Sequence, residues 1–313
     1  NQVDTEVMLG HLQREGFVPV SQPQDAEVIV VNTCAFIDAA KEESVDTILE
    51  MARYKAEGRC RKLVVSGCLS QRYAPELAKE IPEVDHFLGT GNFESIADLF
   101  HPKAVVAPSR LPILNRMSPP RTKLVPFKHQ RQVHHGRAIE IPDPDFTITA
   151  QSPRLTTGSR FTTYVKVSEG CSNTCAFCII PKLRGPQRSR AIADVIEEVE
   201  RHIEAGVVEV NLIAQDLCAF GKDQQPRQSL AQLLRALDKV ALTAPGHFWI
   251  RVMYAYPKGL TQDVMEAMAE AKHIVPYLDM PLQHISDSML RRMRRGKGGD
   301  ATRALIGRLR ETI

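Results

Sequence analysis

The chain has 313 residues, of which 43% are hydrophobic and 25% charged, and its formal net charge is +3. This length is sufficient for two domains, and the composition is typical of a folded globular protein and excludes a disordered or collagen-like one. The sequence contains no apolar run of membrane-spanning length and no secretory signal near Asn1. We therefore expect a cytoplasmic protein whose true start lies upstream of this first residue.

Residues 1–100 alternate helical periodicity with short apolar strands. Strands that are continuous apolar runs between helices predict a parallel sheet covered on both faces. The predicted strands are Glu27–Val31, Lys62–Val65 and His86–Leu88, and the predicted helices are Val3–Glu15, Asp38–Lys55, Tyr73–Ile81 and Phe93–Phe100. Because a domain of this kind should begin with a strand, we expect a first strand upstream of Asn1.

Residues 101–160 interrupt this alternation. Six prolines lie between Pro102 and Pro126, and His101–Arg137 carries eight Lys and Arg residues and no acidic residue. We predict a proline-rich basic linker at 101–160 that separates a domain at 1–100 from a domain at 161–313. Such a linker could contact RNA or ribosomal surroundings, or it could serve as a solvated tether, which we favour.

Residues 161–313 return to alternating strands and helices. The predicted strands are Thr163–Ser168, Val208–Ile213, Phe248–Ala255 and Pro276–Pro281, and the candidate helix caps are Ser229, Thr261 and Ser286. Four βα units are too few for a closed eight-stranded barrel. The predicted fold class is therefore α/β, with a parallel-sheet domain followed by an open or partial βα barrel.

The most informative motif is Cys171-x3-Cys175-x2-Cys178, here called the triplet, which follows the strand that ends at Ser168. Three thiolates at this spacing can hold three irons of a four-iron cluster and leave the fourth iron free to bind a ligand. The same thiols with a distant fourth ligand could instead bind zinc. Because ligands collect at the carboxyl ends of strands in α/β proteins, either centre is expected on the functional face.

Cys34 and Cys68, here called the pair, occupy matching places after two predicted strands. If those strands are neighbours, the two thiols can share a second metal centre, and topology places a third ligand upstream of this chain. The alternative is that both are small buried residues, as free cysteines commonly are. Cys60 precedes its strand and is interpreted as structural or incidental, whereas the role of Cys218 stays open.

Several polar side chains also fall at strand ends in the second domain. Buried polar groups in such places normally face a ligand or one another. The candidates for binding a zwitterionic, ribose-bearing cofactor are Gln215, Asp216, Arg251 and Gln283, and a structural role is favoured for Asp279, Tyr254 and Tyr256. The basic run Arg291–Lys297 is interpreted as solvated at a helix end, with contact to RNA or a ligand carboxylate as the alternative.

Together these motifs resemble the radical S-adenosylmethionine (SAM) methylthiotransferases. The triplet, with Phe177 before its last cysteine, resembles the general radical SAM signature. The methylthiotransferase branch is further indicated by Glu169–Asn173, Ile179–Pro181, Val31–Cys34 and Ser66–Cys68. Sequences similar to the RimO-type enzymes, which modify an aspartate of a ribosomal protein, are Asn1–Glu6, Cys34–Asp38, Leu212–Asp216, Val252–Pro257 and Asp279–His284.

The resemblance implies two four-iron clusters, one that binds SAM on the triplet and one that supplies sulfur on the pair and an upstream cysteine. It implies that the backbone around Phe177 contacts the adenine, and that the SAM pocket is lined by Gln215, Asp216, Arg251 and Gln283. The implied reaction is methylthiolation of the β-carbon of an aspartate in the twelfth protein of the small ribosomal subunit. An external electron donor and a second SAM as methyl source are implied as well.

Two other readings stay open. A modified adenosine in transfer RNA is the alternative substrate, since some members of the branch act on transfer RNA. A non-catalytic iron–sulfur or zinc scaffold that binds ribosomes is the alternative of another class. Cleavage of SAM would separate enzyme from scaffold, and a methylthio mass on one of the two substrates would decide between them.

Overall fold

The computed structural model describes residues 1–100, 131–134, 137–241 and 247–313. The helices are α1 (Gln2–Arg14), α2 (Asp38–Ala52), α3 (Tyr54–Glu57), α4 (Cys68–Glu80), α5 (Ile180–Arg184), α6 (Ile192–Glu204), α7 (Leu230–Ala241), α8 (Gln262–Glu270), α9 (Asp287–Arg292) and α10 (Gly299–Thr312). The strands are β1 (Val28–Thr33), β2 (Lys62–Gly67), β3 (His86–Leu88), β4 (Arg131–His134), β5 (Arg137–Glu140), β6 (Thr162–Lys166), β7 (Ser168–Glu169), β8 (Arg188–Ser189), β9 (Glu209–Ile213), β10 (Trp249–Val252) and β11 (Ile274–Leu278). No helix in the described ranges combines the length and the apolar character that crossing a membrane requires.

The first sheet has the strand order β1-β2-β3-β5-β4, and its neighbours are parallel except for β4 and β5. Successive side chains of a strand point to opposite faces. Val65 and Phe87 pack against α2 and α4, whereas Val64 and Leu88 pack against α1 and the 3-10 helix Phe93–Leu99. The prediction of a parallel sheet covered on both faces is therefore confirmed.

The predicted linker at 101–160 is wrong in its second half. β5 pairs with β3 and extends the first sheet, where it buries Ala138 and Ile139. Farther along, Arg154 forms ion pairs with Glu6 of α1 at 2.7 Å and with Glu198 of α6 at 2.9 Å, so this segment joins the two domains. A strand of four residues in a basic, proline-rich context shows too little periodicity to be predicted. The basic, proline-rich residues 101–130 lie outside the described residues.

The second sheet has the order β11-β10-β9-β6, and its neighbours are all parallel. Its core contains Val165, Leu212 and Ile250, which are fully buried beneath α6, α7 and α8. The predicted succession of βα units is confirmed, as an open sheet in the described part of the chain. Between the two domains, Val3 and Val7 of α1 pack against residues that precede and line the second sheet.

Two of the three predicted helix caps are confirmed. Thr261 accepts a hydrogen bond from the backbone N–H of Val264 at 3.4 Å, and Ser229 accepts one from the backbone N–H of Gln232 at 3.2 Å. Ser286 does not cap α9, because its hydroxyl lies 2.9 Å from the hydroxyl of Ser288 and makes no cap hydrogen bond.

Candidate metal and cofactor site

The pair lies side by side at the carboxyl edge of the first sheet. β1 and β2 are parallel neighbours with Thr33 opposite Gly67, so Cys34 and Cys68 each follow the last residue of a strand. Gly67 has a φ of +95°, and a Cβ there would lie 2.5 Å from the carbonyl oxygen of Thr33, so this turn requires glycine. The two strands are neighbours, which was the condition for a shared metal centre, while ligation by the pair stays a prediction.

The triplet lies on the loop between β7 and α5. Gly170, with a φ of +74°, turns the chain out of β7, and a Cβ there would lie 2.1 Å from a backbone carbonyl oxygen. The N–H of Cys171 donates to the carbonyl of Gly185 at 3.1 Å, and the N–H of Ala176 donates to the carbonyl of Met293 at 2.9 Å. The loop is therefore held by the end of α5 on one side and by the end of α9 on the other.

A cavity of about 460 Å³ lies between the domains and is lined by both the pair and the triplet. The predicted site residues in its lining are Cys34, Cys68, Cys171, Cys175, Cys178, Phe177, Gln215 and Gln283. The structure thus brings together every predicted site residue except Asp216 and Arg251. The residues come from five separate segments, which meet because the carboxyl ends of β1, β2 and β9 face the triplet loop.

Two cavity residues have unusual backbone conformations. Gln283 and Tyr254 lie in the left-handed region with φ values of +70° and +61°. Non-glycine residues in this region are uncommon and are frequent at binding sites, where surrounding contacts maintain them. These two residues are held in defined positions facing the cavity.

Asp216 lies behind the cavity wall and supports the triplet indirectly. Its Oδ2 accepts a hydrogen bond from Nδ2 of Asn173 at 2.6 Å, and the same amide nitrogen lies 3.4 Å from Sγ of Cys171. Burial raises the pKa of Asp216 above its ordinary value. Sequence reasoning missed Asn173, although its place two residues after Cys171 is a usable signal.

Arg251 is not part of the described cavity lining. Its guanidinium pairs with Glu209 at 2.8 Å and lies over the ring of Tyr277, 4.8 Å from the ring centre. Glu209 is the first residue of β9, so this ion pair draws the arginine toward the amino end of the sheet. The expected role of Arg251 in the SAM pocket has no geometric support.

Arg295 is a buried cavity residue, so the interpretation of Arg291–Lys297 as a solvated run is wrong at this position. The residue is only 9% exposed, and its Nη1 donates to Sγ of Cys175 at 3.5 Å. Its guanidinium lies over the ring of Tyr256, 4.5 Å from the ring centre, and its Nε has no hydrogen-bond partner in the described structure. Arg294, with a φ of +51°, provides the turn that carries Arg295 inward.

Four buried charged side chains join the domains beside the cavity. Arg184 donates to Asp4 at 2.9 Å and to Glu169 at 3.1 Å, while Lys166 donates to Glu169 at 2.7 Å and also to Asp4. Burial alone would raise the pKa of both carboxyl groups, but the two cations hold both below their ordinary values. We call this set the buried charge network; it connects α1 of the first domain to β6, β7 and α5 of the second.

Cys60 and Cys218 lie away from the cavity. Cys60 is buried at the amino end of β2, where its Sγ contacts the carbonyl oxygen of Lys62 at 3.4 Å. Cys218 is buried after β9, where its side chain packs against Gly259, and burial raises its pKa to about 12. Both therefore act as packing residues in this fold.

The donor groups of the cavity suit an iron–sulfur cluster and SAM. Its five thiols are free. Two buried polar atoms also have no hydrogen-bond partner among the described residues: the acceptor Oε1 of Gln215 and the donor Nε of Arg295. Such groups suit the amino, carboxylate and ribose groups of a polar cofactor. No three His, Cys, Asp or Glu side chains of the described residues converge on a place for a single metal ion. A four-iron cluster instead distributes its thiolate ligands over separate irons.

Two family models match the chain. That of the uncharacterized protein family UPF0004 matches residues 1–89, and that of the radical SAM superfamily matches residues 165–313. The first match covers β1, β2, β3 and both cysteines of the pair, and the second covers the triplet loop and the second sheet from within β6 onward.

Curated relatives align with the whole chain. It is 48% identical to the ribosomal protein uS12 methylthiotransferase RimO of Myxococcus xanthus and 47% identical to the protein of the same name from Anaeromyxobacter sp. strain K. All 313 residues are covered in both alignments, but they span only 58% and 59% of those relatives. The chain therefore spans less than two thirds of the length of the curated relatives that it matches.

Solved structures share the fold. The radical SAM methyltransferase TsrM from Kitasatospora setae superimposes with a TM-score of 0.62 at 14% identity, covering 100% of this chain and 64% of that one. The cobalamin-dependent SAM radical enzyme OxsB gives a TM-score of 0.58 at 10% identity, covering 97% of this chain and 44% of that one. These likenesses confirm the radical SAM fold alone. The two family models and the curated relatives of 40–48% identity make the chain similar, along its whole length, to the RimO-type radical SAM methylthiotransferases.

Proposed function

We propose that the full-length protein containing this chain adds a methylthio group to the β-carbon of an aspartate in ribosomal protein uS12. The observation that carries this proposal is the single cavity lined by the pair on one side and the triplet on the other. The relatives named for this activity support it. Action on a ribosomal protein would place the enzyme in the cytoplasm.

The triplet is the proposed site of a four-iron cluster that binds SAM. When bound there, the cluster and SAM supply one-electron chemistry that can remove a hydrogen atom from an unactivated carbon, and an external electron donor is needed. Asn173 and Arg295 lie within hydrogen-bond distance of the sulfurs of Cys171 and Cys175, so they orient the thiols. Phe177 is 45% exposed and lines the cavity, where its ring and backbone can contact an adenine.

Gln215 is the best-supported residue for direct contact with SAM. Its Nε2 donates to Glu169 of the buried charge network at 2.8 Å, which fixes the amide and leaves Oε1 buried without a partner. An acceptor in that position can bind the amino group or a ribose hydroxyl of the cofactor. Gln283 lines the same cavity, and Asp216 orients Asn173 from behind it.

The pair is the proposed site of a second four-iron cluster, with its third thiolate supplied by a cysteine upstream of Asn1. Two cysteines from this chain are too few for such a cluster. The sheet holds Cys34 and Cys68 directly after two adjacent strands, and both line the cavity that the triplet lines. Sulfur held on this side would therefore lie close to a carbon activated on the other side.

The function can be tested with the full-length protein after anaerobic reconstitution with iron and sulfide. SAM, a one-electron reductant and either uS12 or transfer RNA are supplied, and the products are identified by mass spectrometry. We expect one methylthio group on an aspartate of uS12 and none on transfer RNA. Modification of transfer RNA alone would overturn the substrate, and absence of SAM cleavage would favour a scaffold.

Three single-cysteine variants separate the two sites. Cys171→Ala should abolish SAM cleavage, because it removes a ligand of the triplet. Cys68→Ala should retain SAM cleavage but form no methylthio product. Cys60→Ala is the matched control, since this buried thiol lies away from the cavity, and it should retain both activities.

A further inference from the structure

We propose that a second cavity, at the turn between α9 and α10, binds the phosphate backbone of the RNA that surrounds uS12 in the small ribosomal subunit. This cavity has a volume of about 520 Å³ and is here called the basic cavity. Its lining contains the four cations Arg291, Arg294, Arg295 and Lys297 and one carboxylate, that of Asp287. The inference rests on the proposed function, because it concerns the surroundings of the proposed substrate.

The basic cavity has more positive charge than its own side chains neutralise. No ion pair among the described residues involves any of its four cations, and Nε of Arg291 donates only to the backbone carbonyl of Asp287, at 3.4 Å. The carboxylate of Asp287 is engaged elsewhere, because its Oδ1 accepts the N–H of Gly299 at 2.6 Å. Cations that line one cavity without carboxylate partners attract a polyanion.

The backbone of the turn leaves room for such a ligand. Arg294, Gly296 and Gly298 have φ values of +51°, +74° and +103°, so the chain changes direction repeatedly between the two helices. A Cβ added to Gly296 would have no other atom within 4 Å, so the space beside this backbone is open. A phosphate group can therefore approach the turn closely between its cationic side chains.

The lining of the basic cavity favours a phosphate backbone over a peptide or a base. Guanidinium groups match the oxygens of phosphate with two parallel hydrogen bonds. Among the described residues that line the basic cavity, Leu290 alone is a large apolar side chain, and it is buried. Protein interfaces depend on aromatic and apolar anchors, and base binding depends on aromatic stacking. Contact with phosphates needs neither and carries no base specificity.

The basic cavity lies beside the cavity that the two sets of cysteines line. Arg295 lines both and forms part of the wall between them. The N–H of Ala176 in the triplet loop donates to the carbonyl of Met293 at 2.9 Å, which ties the turn to the triplet. A ribosomal protein in an assembled subunit is surrounded by RNA, so an enzyme that reaches it there meets phosphate groups. Phosphates held at this turn would position the subunit relative to the triplet.

The test uses two double variants of the full-length, anaerobically reconstituted protein. Arg291→Gln with Lys297→Gln removes two exposed cations of the basic cavity and retains Arg294, which shapes the turn. The control is Arg53→Gln with Lys79→Gln, which removes two exposed cations of the first domain that pair with neighbouring carboxylates. Both double variants change the net charge by the same amount.

Each protein is titrated with intact small ribosomal subunits and with isolated uS12 at several salt concentrations, and the methylthio product on each is measured by mass spectrometry. We expect the basic-cavity variant to bind subunits about tenfold more weakly than the wild type. The slope of log K against log salt concentration should fall by about two, one for each lost phosphate contact. Iron content, SAM cleavage and modification of isolated uS12 should not change, and the control should match the wild type.

Unchanged affinity and salt dependence for subunits in the basic-cavity variant would overturn the inference, as would a wild type that does not bind subunits. An equal loss for isolated uS12 would overturn it by assigning the cavity to an acidic segment of that protein. An equal loss in the control would assign the effect to net charge alone.

Failure of this inference differs from failure of the proposed function. If the basic-cavity variant binds subunits more weakly but the wild type forms no methylthio product on uS12, the RNA site stands and the proposed function fails. If the wild type modifies uS12 and the basic-cavity variant binds subunits equally well, the proposed function stands and the RNA site fails.

Discussion

The pair and the triplet line the same cavity but are held there in different ways. Cys34 and Cys68 follow adjacent strands of a sheet that is covered on both faces, so the spacing of the strands, about 4.8 Å, fixes how far apart they start. The triplet lies on a loop whose position depends on backbone contacts with residues far along the chain, such as Met293. One site is therefore determined by sheet geometry and the other by tertiary packing.

The two sets of cysteines also differ in their electrostatic partners. Cys68 shares the cavity lining with Arg184, which belongs to a neutral network of four buried charges that crosses the domain interface. Cys175 faces Arg295, which is stacked on Tyr256 and has no carboxylate partner among the described residues. This difference indicates a permanently fixed cation beside the pair and a cation available to a ligand beside the triplet.

The glycines that precede each site should give the largest effects. Gly67→Ala and Gly170→Ala place a Cβ within 2.5 Å and 2.1 Å of backbone carbonyl oxygens, and both positions have a positive φ. We expect each change to lower the free energy of unfolding by about 3 kcal/mol or more, since strain and a backbone shift add together. Urea denaturation measures this, and iron content should fall selectively at the adjacent site.

Gly206→Ala is the control for these glycines. Gly206 has a φ of +89°, but no other atom lies within 4 Å of its added Cβ. It should lower the free energy of unfolding by only about 1 kcal/mol, through the backbone conformation alone. Equal losses at Gly170 and Gly206 would show that the loop of the triplet is not tightly packed.

Acid should weaken the domain interface through Glu198, which lies on α6 of the second domain. Burial alone would raise the pKa of Glu198, but His202, Arg190 and Arg154 hold it at about 2, below the ordinary 4.5. Because the folded-state pKa is depressed, this stabilisation is present above pH 4.5 and is lost as the pH falls toward 2. It amounts to about 3 kcal/mol.

Chemical denaturation at several pH values between 7 and 2 measures this dependence. Glu198→Gln should flatten the curve, whereas Glu200→Gln, on the exposed side of the same helix, should leave it unchanged. If the free energy of unfolding of Glu198→Gln depends on pH as steeply as that of the wild type, the acid sensitivity belongs to other groups, such as Asp4.

Arg295→Met should affect the triplet and spare the pair. Loss of the hydrogen bond to Cys175 and of a free Nε in the cavity should weaken SAM binding and slow SAM cleavage by about tenfold. Arg295→Lys should be intermediate, because an ammonium group cannot reproduce the planar stack on Tyr256. Equilibrium binding of SAM to the reconstituted protein measures the effect.

Arg235→Met is the matched control for Arg295, since Arg235 forms an exposed ion pair with Asp263 at 2.7 Å. Exposed ion pairs of this kind contribute little to stability. Comparable losses of SAM binding in both variants would contradict a specific role for Arg295.

Sequence reasoning succeeded where a regular rule applies. Strands in parallel sheets place their following residues at one edge, so the matching positions of Cys34 and Cys68 were sufficient to predict a common edge, and the structure adds that their strands are neighbours. The same rule placed the triplet, Gln215 and Gln283 on one face, and all of them line the cavity.

Sequence reasoning failed where a side chain is positioned by a partner that is distant in the sequence. Arg295 lies 120 residues from Cys175, and nothing in its basic run distinguishes it from exposed neighbours. Arg251 lies within β10 and not after it, and Glu209 holds it toward the amino end of the sheet. α4 begins at Cys68, five residues before the predicted Tyr73, where a φ of −133° and a ψ of 19° interrupt the helix. Because of this break, the first turn of α4 does not continue the helical periodicity of the residues after Tyr73, so the sequence pattern does not reveal it.

Iron content is the most direct test of a cavity that joins two four-iron sites. Iron analysis and Mössbauer spectroscopy on the full-length, anaerobically reconstituted protein should give about eight irons per chain. Replacing the pair by Cys34→Ala and Cys68→Ala should leave about four irons, held by the triplet, and replacing the triplet should leave about four on the pair. A wild-type value of about four that is lost only with the triplet would contradict the second site.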